Sequence, residues 1–138
     1  MVPFSAHEDN TIECIAPTAD CLPGPDGIGH FSFPGTVEGD HIGAGTIAGT
    51  SQVNFFVFPF QQTGQSTITT PSGDELYFDY GGTAVPGAAE GDVIFGGNFT
   101  FTGGTGRFAS ASGGGTYAGS ANTIAGVGQY DMVGEISR

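Results

Sequence analysis

The chain has 138 residues and carries 14 acidic side chains against two arginines and no lysine, for a net charge of −12. Phosphate backbones and anionic lipid surfaces repel such a charge, so nucleic-acid binding and electrostatic docking on membranes are excluded as functions. No apolar run approaches the roughly 20 residues of a membrane-spanning helix, which excludes a helical integral membrane protein.

Glycine and aromatic residues together indicate the fold class. Glycine occupies 26 positions, far above the average of about 7%, but follows no Gly-X-Y period, so the chain is not collagen-like. Twelve Phe and four Tyr recur at short intervals, which argues against disorder. Gly and Pro recur too often for long helices, since glycine costs about 1 kcal/mol at an interior helix position. We therefore predict an all-β domain of short strands joined by glycine turns.

Residues 1–29 form one compositional block that contains both cysteines, several prolines and little alternation. We predict that this block is an irregular arm, and that residues 30–138 form a single β domain. Cys14 and Cys21 either form a disulfide that closes a short loop or remain two free thiols. A zinc site is disfavoured because there is no second cysteine pair.

The N-terminus does not have the basic n-region and long apolar core of a secretory signal. Two interpretations are open: a cytoplasmic protein, or an extracellular or periplasmic protein whose signal lies outside the numbered chain. The acidic, lysine-free, Gly- and Thr-rich composition favours the second.

From His30 onward, strand-sized segments alternate with turn signals such as Gly103–Gly106 and Gly113–Gly115. Strands at this short spacing favour a meander closed into a barrel, or a sandwich. The predicted strands are Phe31–Val37, Ile42–Gly49, Val53–Phe60, Ser66–Thr70, Glu75–Tyr80, Val93–Thr102, Arg107–Ser112, Thr116–Ser120 and Val127–Ile136.

Alternation predicts which side chains face inward. In Asn98–Thr102 the two phenylalanines share one face and the polar residues share the other. In Leu76–Tyr80 every second residue is apolar or aromatic, and near the C-terminus Tyr130 and Met132 lie on the same side of their strand. Such half-buried strands favour antiparallel pairing.

The segment Phe55–Phe60 is apolar on both faces of its predicted strand. One face lines the core, and the other is an interface between subunits, is covered by the N-terminal arm, or lies at the mouth of a barrel, because an exposed stripe this apolar aggregates. Pro59 donates no backbone hydrogen bond, which places the strand at an edge or a bulge. The candidate interface residues are Phe56, Phe58 and Phe60.

The most distinctive segment is Phe99–Gly113, a glycine hairpin followed by Gly-Arg-Phe-x-x-Ala-x-Gly. It resembles a motif of the allene oxide cyclase and dirigent barrel proteins and of their bacterial secreted relatives. Gly119, Gly126 and Gly134–Ile136 resemble the closing strands of that pattern, so the resemblance covers roughly residues 28–136. It implies an antiparallel, eight-stranded, up-and-down barrel (calycin-like), often dimeric or trimeric, with an apolar lumen and no cofactor.

The candidate functional residues follow from the predicted facing. The aromatic side chains expected to line the lumen and contact a ligand are Phe78, Tyr80, Phe99, Phe101, Phe108 and Tyr130. The polar candidates beside them are Tyr77, Asn98, Arg107 and Glu135. For Arg107, two roles are open: an ion pair with Glu135, Asp131 or Asp92 that fixes the hairpin, or an anchor for a ligand carboxylate or enolate.

No metal or cofactor site is predicted. The three histidines (His7, His30 and His41) have no partner at metal-ligand spacing. Asp74, Glu75 and Asp79 could supply oxygen ligands for Ca²⁺, but no EF-hand or nonapeptide repeat is present, so solvated turn acids are the better interpretation. The chain also has no nucleophile elbow and no lysine-containing phosphate loop.

Two hypotheses about function remain. The first is a non-enzymatic, acidic, extracytoplasmic barrel that binds an apolar small molecule, assembles with copies of itself, or does both. The second is a cofactor-free cyclase or isomerase, which accelerates a reaction by holding a flexible substrate in a reactive conformation. The lumen discriminates between a structural and a ligand-binding role, because a filled lumen has no room for a ligand and an open one does.

Overall fold

The computed structural model describes residues 1–16 and 25–138, in which extended backbone dominates. The predicted Cys14–Cys21 pair falls outside the described residues. Within the described residues, ten strands and one short 3₁₀ helix, Gly106–Phe108, follow one another. The strands are β1 (Val2–Thr11), β2 (Glu13–Ala16), β3 (Ile28–Ser32), β4 (Gly35–Gly39), β5 (Gly43–Asn54), β6 (Phe60–Thr69), β7 (Glu75–Pro86), β8 (Asp92–Gly104), β9 (Ser112–Asn122) and β10 (Val127–Ser137).

The strands close into an eight-stranded antiparallel barrel, which confirms the predicted fold class. From β4 to β10 each strand pairs with the next, and β1 completes the ring by pairing with both β10 and β4. β3 pairs with the second half of β5, and β2 pairs with β3. Closure leaves no free edge within the ring, so its backbone donors and acceptors satisfy one another.

The prediction of an irregular arm over residues 1–29 is wrong for β1. Val2–Thr11 is a strand of the barrel, paired with β10 along its whole length and with β4 from Ala6 to Asn10. Phe4, Ala6 and Glu8 face inward and are buried, and from Ser5 onward the outward side chains are polar. A glutamate at an inward position breaks the expected alternation of apolar and polar residues, which is why the sequence does not resemble a strand.

The predicted strand Val53–Phe60 is also wrong, because β5 ends at Asn54 and β6 begins at Phe60. The intervening residues form a turn in which the backbone N–H of Phe56 donates to Asn54 Oδ1 at 2.9 Å. Asparagine commonly starts such turns in this way. Pro59 therefore lies in a connection at one end of the barrel, not at the edge of a sheet.

The end of the barrel that holds both chain termini is filled by apolar side chains. Phe4, Leu76, Phe101 and Ile136 are buried there, and the ring centres of Phe4 and Phe101 are 5.1 Å apart. The predicted strand Arg107–Ser112 is instead the 3₁₀ helix and a turn, which place the fully buried Phe108 across this end. This half of the barrel is a packed core.

Candidate functional site

At the opposite end, the lumen keeps an inner cavity of about 40 Å³. That volume holds a few water molecules or a small chemical group. The side chains that dominate its wall are Asn10, Gln62, Tyr80, Phe95, Tyr117 and Tyr130. The rings pack edge to face, with centres 5.5 Å apart for Tyr80 and Tyr117 and 6.2 Å apart for Tyr117 and Tyr130. The inner cavity is therefore walled by aromatic faces and a few polar atoms.

Glycines opposite the tyrosines make room for these rings. Tyr80 is paired across the sheet with Gly64, and Tyr130 is paired with Gly119. A Cβ atom at Gly64 would overlap the Tyr80 hydroxyl, and one at Gly119 would lie 2.5 Å from Tyr130 Cβ. A small barrel cannot accommodate a large side chain at every inward position, so large and small residues alternate around it.

A wider mouth cavity of about 280 Å³ adjoins the inner one. The two cavities share five lining residues: Ile12, Phe33, Gln62, Phe95 and Ala121. The rest of the mouth cavity is mostly apolar, with Phe31, Val53, Phe55, Phe60, Ala84 and Val93 among its lining residues. Together the cavities form a funnel whose apolar mouth narrows to the tyrosine-walled interior.

Glu8 lies inside the barrel beside this funnel. Its side chain is 1% exposed, and the residue is paired across the sheet with Tyr130. Neither carboxyl oxygen has a hydrogen-bond partner among the described residues. Burial, with a smaller contribution from the negative charge of Asp9, raises the pKa of Glu8 to about 8. At neutral pH the carboxyl is therefore mostly protonated and uncharged.

Two further buried oxygens near the funnel have no hydrogen-bond partner in the part of the chain that the structure describes: Asn10 Oδ1 and Ser51 Oγ. Asn10 lines the inner cavity, and Ser51 lines the mouth cavity. Buried polar atoms are nearly always hydrogen-bonded, and leaving one unpaired costs about 1–3 kcal/mol. All four unpaired buried oxygens among the described residues therefore belong to residues inside the barrel in or near the funnel.

The tyrosine hydroxyls of the inner cavity act as neutral donors. Tyr80 donates to the backbone carbonyl of Thr50, and Tyr117 donates to Gln62 Oε1, both at 2.9 Å. Burial raises the pKa of Tyr117 to about 12, and it raises the pKa of Tyr80 and of Tyr130 further above the ordinary phenol value. All three phenols keep their protons at physiological pH.

The predicted lumen residues divide between the two halves of the barrel. Phe78, Tyr80 and Tyr130 line the inner cavity. Phe99, Phe101 and Phe108 are buried in the packed core. All six side chains face the interior, as alternation indicates, but only the first three border open space.

None of the four predicted polar residues faces the lumen. Tyr77 lies on the outside of β7, where its hydroxyl donates to Glu75 Oε1 at 2.8 Å, and this hydrogen bond raises the pKa of the phenol. Asn98 and Glu135 are exposed. Arg107 pairs with Asp74, with Nε 3.4 Å from Oδ2, so the predicted pairing with Glu135, Asp131 or Asp92 is wrong. Arg107 also lies at the closed end, far along the barrel from the funnel.

The candidate interface residues lie at the mouth. Phe56 and Phe58 are 70% and 73% exposed in the turn between β5 and β6, whereas Phe60 is half-buried. The Phe60 ring centre is 5.1 Å from that of Phe55 and 5.6 Å from that of Phe58. The segment therefore forms one wall of the mouth and presents two phenylalanines to solvent.

His7 is an outward-facing residue held between acids. Its Nδ1 lies 2.7 Å from Asp131 Oδ1, and its Nε2 lies 3.3 Å from Asp9 Oδ2. The hydrogen bond to Asp131 raises the pKa of the imidazole, an effect that partial desolvation opposes and Asp9 reinforces. Across residues 1–13 and 25–138, no group of three or more His, Cys, Asp or Glu side chains is arranged to hold a metal ion.

Sequence reasoning missed Glu8, Ser51, Gln62 and Tyr117. For Glu8 and Tyr117 the sequence contains a signal, namely their spacing of two from neighbouring inward-facing positions. Glu8 follows Phe4 and Ala6 at intervals of two, and Tyr117 stands between Gly115 and Gly119 at the same interval. Ser51 and Gln62 belong to polar stretches in which no apolar partner marks the inward face.

No family model, curated protein or solved structure matches this chain. The resemblance to the allene oxide cyclase and dirigent proteins therefore stays a prediction, although the barrel that it implies is present. Within the described ranges, no helix has the length and apolar character needed to cross a membrane.

Proposed function

We propose that the protein is a non-enzymatic, extracytoplasmic barrel that binds a small, largely apolar molecule in its open end. The observation that carries this proposal is the contrast between the two halves of one lumen. One half is filled by interlocked apolar side chains, whereas the other keeps a funnel with unpaired buried oxygens beside it. Binding sites for small molecules are typically apolar cavities with a few well-placed polar groups.

The driving force is burial of apolar surface. Each Å² of apolar surface that a ligand removes from water contributes about 25 cal/mol. The mouth cavity offers the rings of Phe33, Phe55 and Phe60 for this contact, and the tyrosine hydroxyls deeper inside can orient a polar group of the ligand. Because the protein contains no tryptophan, ligand fluorescence can be observed with little background.

Obstructing the funnel tests the proposal. Ala121 borders both cavities, so Ala121→Phe places a ring in the path of the ligand. We expect the neutral fluorescent probe N-phenyl-1-naphthylamine to bind the native protein and to bind Ala121→Phe at least tenfold more weakly. Ala118→Phe, on the exposed face of the same strand, is the matched control and should bind the probe as the native protein does. If Ala121→Phe does not fold, Ala121→Leu provides a smaller obstruction. Equal probe affinity in the native protein, Ala121→Phe, Ala121→Leu and Ala118→Phe contradicts the proposal.

Self-association is part of the same proposal, and it is supported by the exposed rings of Phe56 and Phe58. Adjacent exposed aromatic side chains are unusual on a monomer and favour contact with another protein surface. We expect the native protein to form dimers or larger oligomers in analytical ultracentrifugation, and Phe56→Ser/Phe58→Ser to weaken them at least tenfold. Ile94→Ser, which alters an exposed apolar residue on the side of the barrel, should leave them intact. A native protein that remains monomeric at high concentration contradicts this part.

A cofactor-free cyclase or isomerase is the second candidate, and Glu8 is the observation that favours it. A carboxyl with a pKa of about 8 can give or take a proton at neutral pH, and it lies beside an apolar cavity. The criterion that separates the two functions is turnover of an unstable allene oxide. If the protein converts the allene oxide into a single ring-closed stereoisomer, the result supports catalysis. If the product formed with the protein is the same racemic mixture that forms in water alone, the result supports binding without catalysis.

A further inference from the structure

The carboxyl of Glu8 has no counter-ion of its own. The chain contains only two arginines. Arg107 is paired with Asp74, and it lies with Arg138 around one pocket at the closed end of the barrel. His7, the neighbour of Glu8 in sequence, faces outward between two acids. Among the described residues, therefore, the protein buries an acid in its lumen without placing a positive charge beside it.

Three unpaired oxygens lie on the inward face of β1, and all three accept hydrogen bonds once the Glu8 carboxyl is ionised. They are both oxygens of Glu8 and Oδ1 of Asn10, which follows Glu8 on the same face of β1. Glu8 itself lines neither cavity, whereas Asn10 and Tyr130, the cross-strand neighbour of Glu8, line the inner one. Glu8 Oε1 lies 2.9 Å from the position that a Cβ atom of Gly35 would occupy, and Gly35 is paired with Asn10. The carboxyl thus extends along the strand toward the level of Asn10, which lines the inner cavity. A group that supplies several donors would satisfy these oxygens together, and a primary ammonium supplies three.

The walls of the inner cavity also suit a cation. Aromatic faces attract ammonium groups, and the attraction grows when water is excluded. The rings of Tyr80, Phe95, Tyr117 and Tyr130 surround the space, with centres 6.3 Å apart for Phe95 and Tyr117 and also for Phe95 and Tyr130. A net charge of −12 further concentrates cations around the protein.

The two cavities differ in size and chemistry in a way that orients such a ligand. The inner cavity, about 40 Å³, fits a compact head group, whereas the mouth cavity, about 280 Å³, has an apolar wall suited to a hydrocarbon body. A body in the mouth contacts Phe33, Phe55 and Phe60, and its head group reaches inward between the tyrosines.

We propose that the ligand is an amphiphilic primary amine, whose ammonium group binds in the inner cavity at Glu8 and Asn10 while its apolar body occupies the mouth cavity. This inference rests on the proposed function and specifies the chemical class of its ligand. The ammonium donates to the Glu8 carboxylate and to Asn10 Oδ1, and the tyrosine rings contact its remaining surface.

Binding of a cation is then coupled to release of a proton. The free carboxyl of Glu8 is protonated at neutral pH and becomes ionised when the ammonium binds. The titratable groups facing Glu8 from other strands are the phenols of Tyr80 and Tyr130, whose raised pKa values keep them neutral, and Asp9 adds a negative charge from the outer face of β1. Affinity for the amine should therefore rise about tenfold per pH unit from pH 6 toward pH 8 and level off above it.

The test is isothermal titration calorimetry of the intact protein with three probes of equal chain length: hexylamine, hexan-1-ol and hexanoate. At pH 8 we expect hexylamine to bind at least tenfold more tightly than hexan-1-ol, and hexanoate to bind most weakly. From pH 6 to pH 8, only the hexylamine affinity should rise, with release of a proton that is measured by comparing buffers of different ionisation enthalpy. Glu8→Gln should remove the preference for hexylamine over hexan-1-ol, and Glu135→Gln, which removes one exposed charge, should retain it.

Five outcomes overturn the inference. Equal affinity for hexylamine and hexan-1-ol, or a hexylamine affinity that does not change with pH, rejects the ammonium ligand while the funnel remains a binding site. Tightest binding of hexanoate rejects it as well. If none of the three probes binds but N-phenyl-1-naphthylamine does, the amine inference fails and the proposed function stands, whereas failure of all four probes rejects both.

Discussion

Glu8→Gln is expected to raise the free energy of unfolding by about 4–5 kcal/mol at pH 9 and to leave it nearly unchanged at pH 4. Burial raises the pKa of Glu8 from 4.5 to about 8, and each pKa unit corresponds to about 1.4 kcal/mol. Between these two values the folded protein holds a proton that the unfolded chain has released. The stability of the native protein therefore falls as pH rises through this window, and the uncharged glutamine does not contribute to that fall.

Urea unfolding followed by circular dichroism, at pH values from 4 to 9, measures this difference. Only the difference between the native protein and the variant is diagnostic, because the other acidic residues titrate alike in both. Glu135→Gln removes a charge from the exposed face of β10 and should give a difference that changes little with pH. A Glu8→Gln difference that is constant from pH 4 to pH 9 shows that the carboxyl has an ordinary pKa in the folded protein.

A destabilisation of this size supports the proposed role of Glu8 in ligand binding. The net stability of a domain is usually about 5–15 kcal/mol, so an unpaired buried carboxyl removes a substantial part of it at high pH. An apolar residue at the same position would fit the alternation of β1 and would avoid this loss. Residues that violate the local folding rules in this way are expected at functional sites, where they serve a ligand instead of the fold.

Much of the barrel could be predicted from alternation alone. The inward faces of β7, β8 and β10 follow the period of two, as shown by Phe78, Phe99 and Met132, all buried. The predicted turn Gly103–Gly106 does lie at the end of β8, whereas the predicted turn Gly113–Gly115 is wrong, because these glycines lie inside β9. In β7, β8 and β10 the inward face is marked by apolar or aromatic side chains, so the sequence carries the information directly.

The errors have local physical causes. β1 was not recognised because Glu8 occupies one of its inward positions. The turn after β5 resembles a strand in sequence because it is rich in phenylalanine. The hydrogen bond from Phe56 N–H to Asn54 Oδ1, which forms where β5 ends, is indicated in the sequence only by the single asparagine. The partner of Arg107 depends on how the turn containing Asp74 packs at the closed end, which is a tertiary contact.

The site was predicted only in part, because alternation gives the inward face but not the position of open space along the barrel. Phe78 and Phe101 have the same facing and the same residue type, yet Phe78 borders the inner cavity and Phe101 is packed in the core. The two are partners across β7 and β8, so the boundary of the cavity passes between two rings that alternation places alike. The 3₁₀ helix between β8 and β9 places Phe108 across the closed end. The sequence shows a glycine hairpin there and does not show into which end its aromatic residue turns.

Phe108→Ala is expected to lower the free energy of unfolding by about 3–5 kcal/mol, the usual loss when a fully buried phenylalanine is truncated. The Phe108 ring is 0% exposed, and the Arg107 guanidinium carbon lies 4.9 Å from its centre. The close approach of Gly104 to Phe108 Cβ leaves the neighbouring backbone little freedom to collapse into the space that the ring vacates. Urea unfolding at pH 5 measures this loss, because the contribution of Glu8 is the same in the native protein and in the variant and cancels in their difference.

The matched control is Phe58→Ala, which removes the same atoms from a residue that is 73% exposed at the open end, with all proteins measured at a concentration low enough to keep them monomeric. Its loss should stay within about 0.5 kcal/mol, as for most surface substitutions. Phe108→Leu should fall between the two variants and serves if the alanine variant does not fold. If Phe108→Ala and Phe58→Ala lower the free energy of unfolding by the same amount, the stability of the barrel is not concentrated at its closed end. In that case the division of the lumen into a packed half and a half available to a ligand does not hold, and the proposed binding site loses its main support.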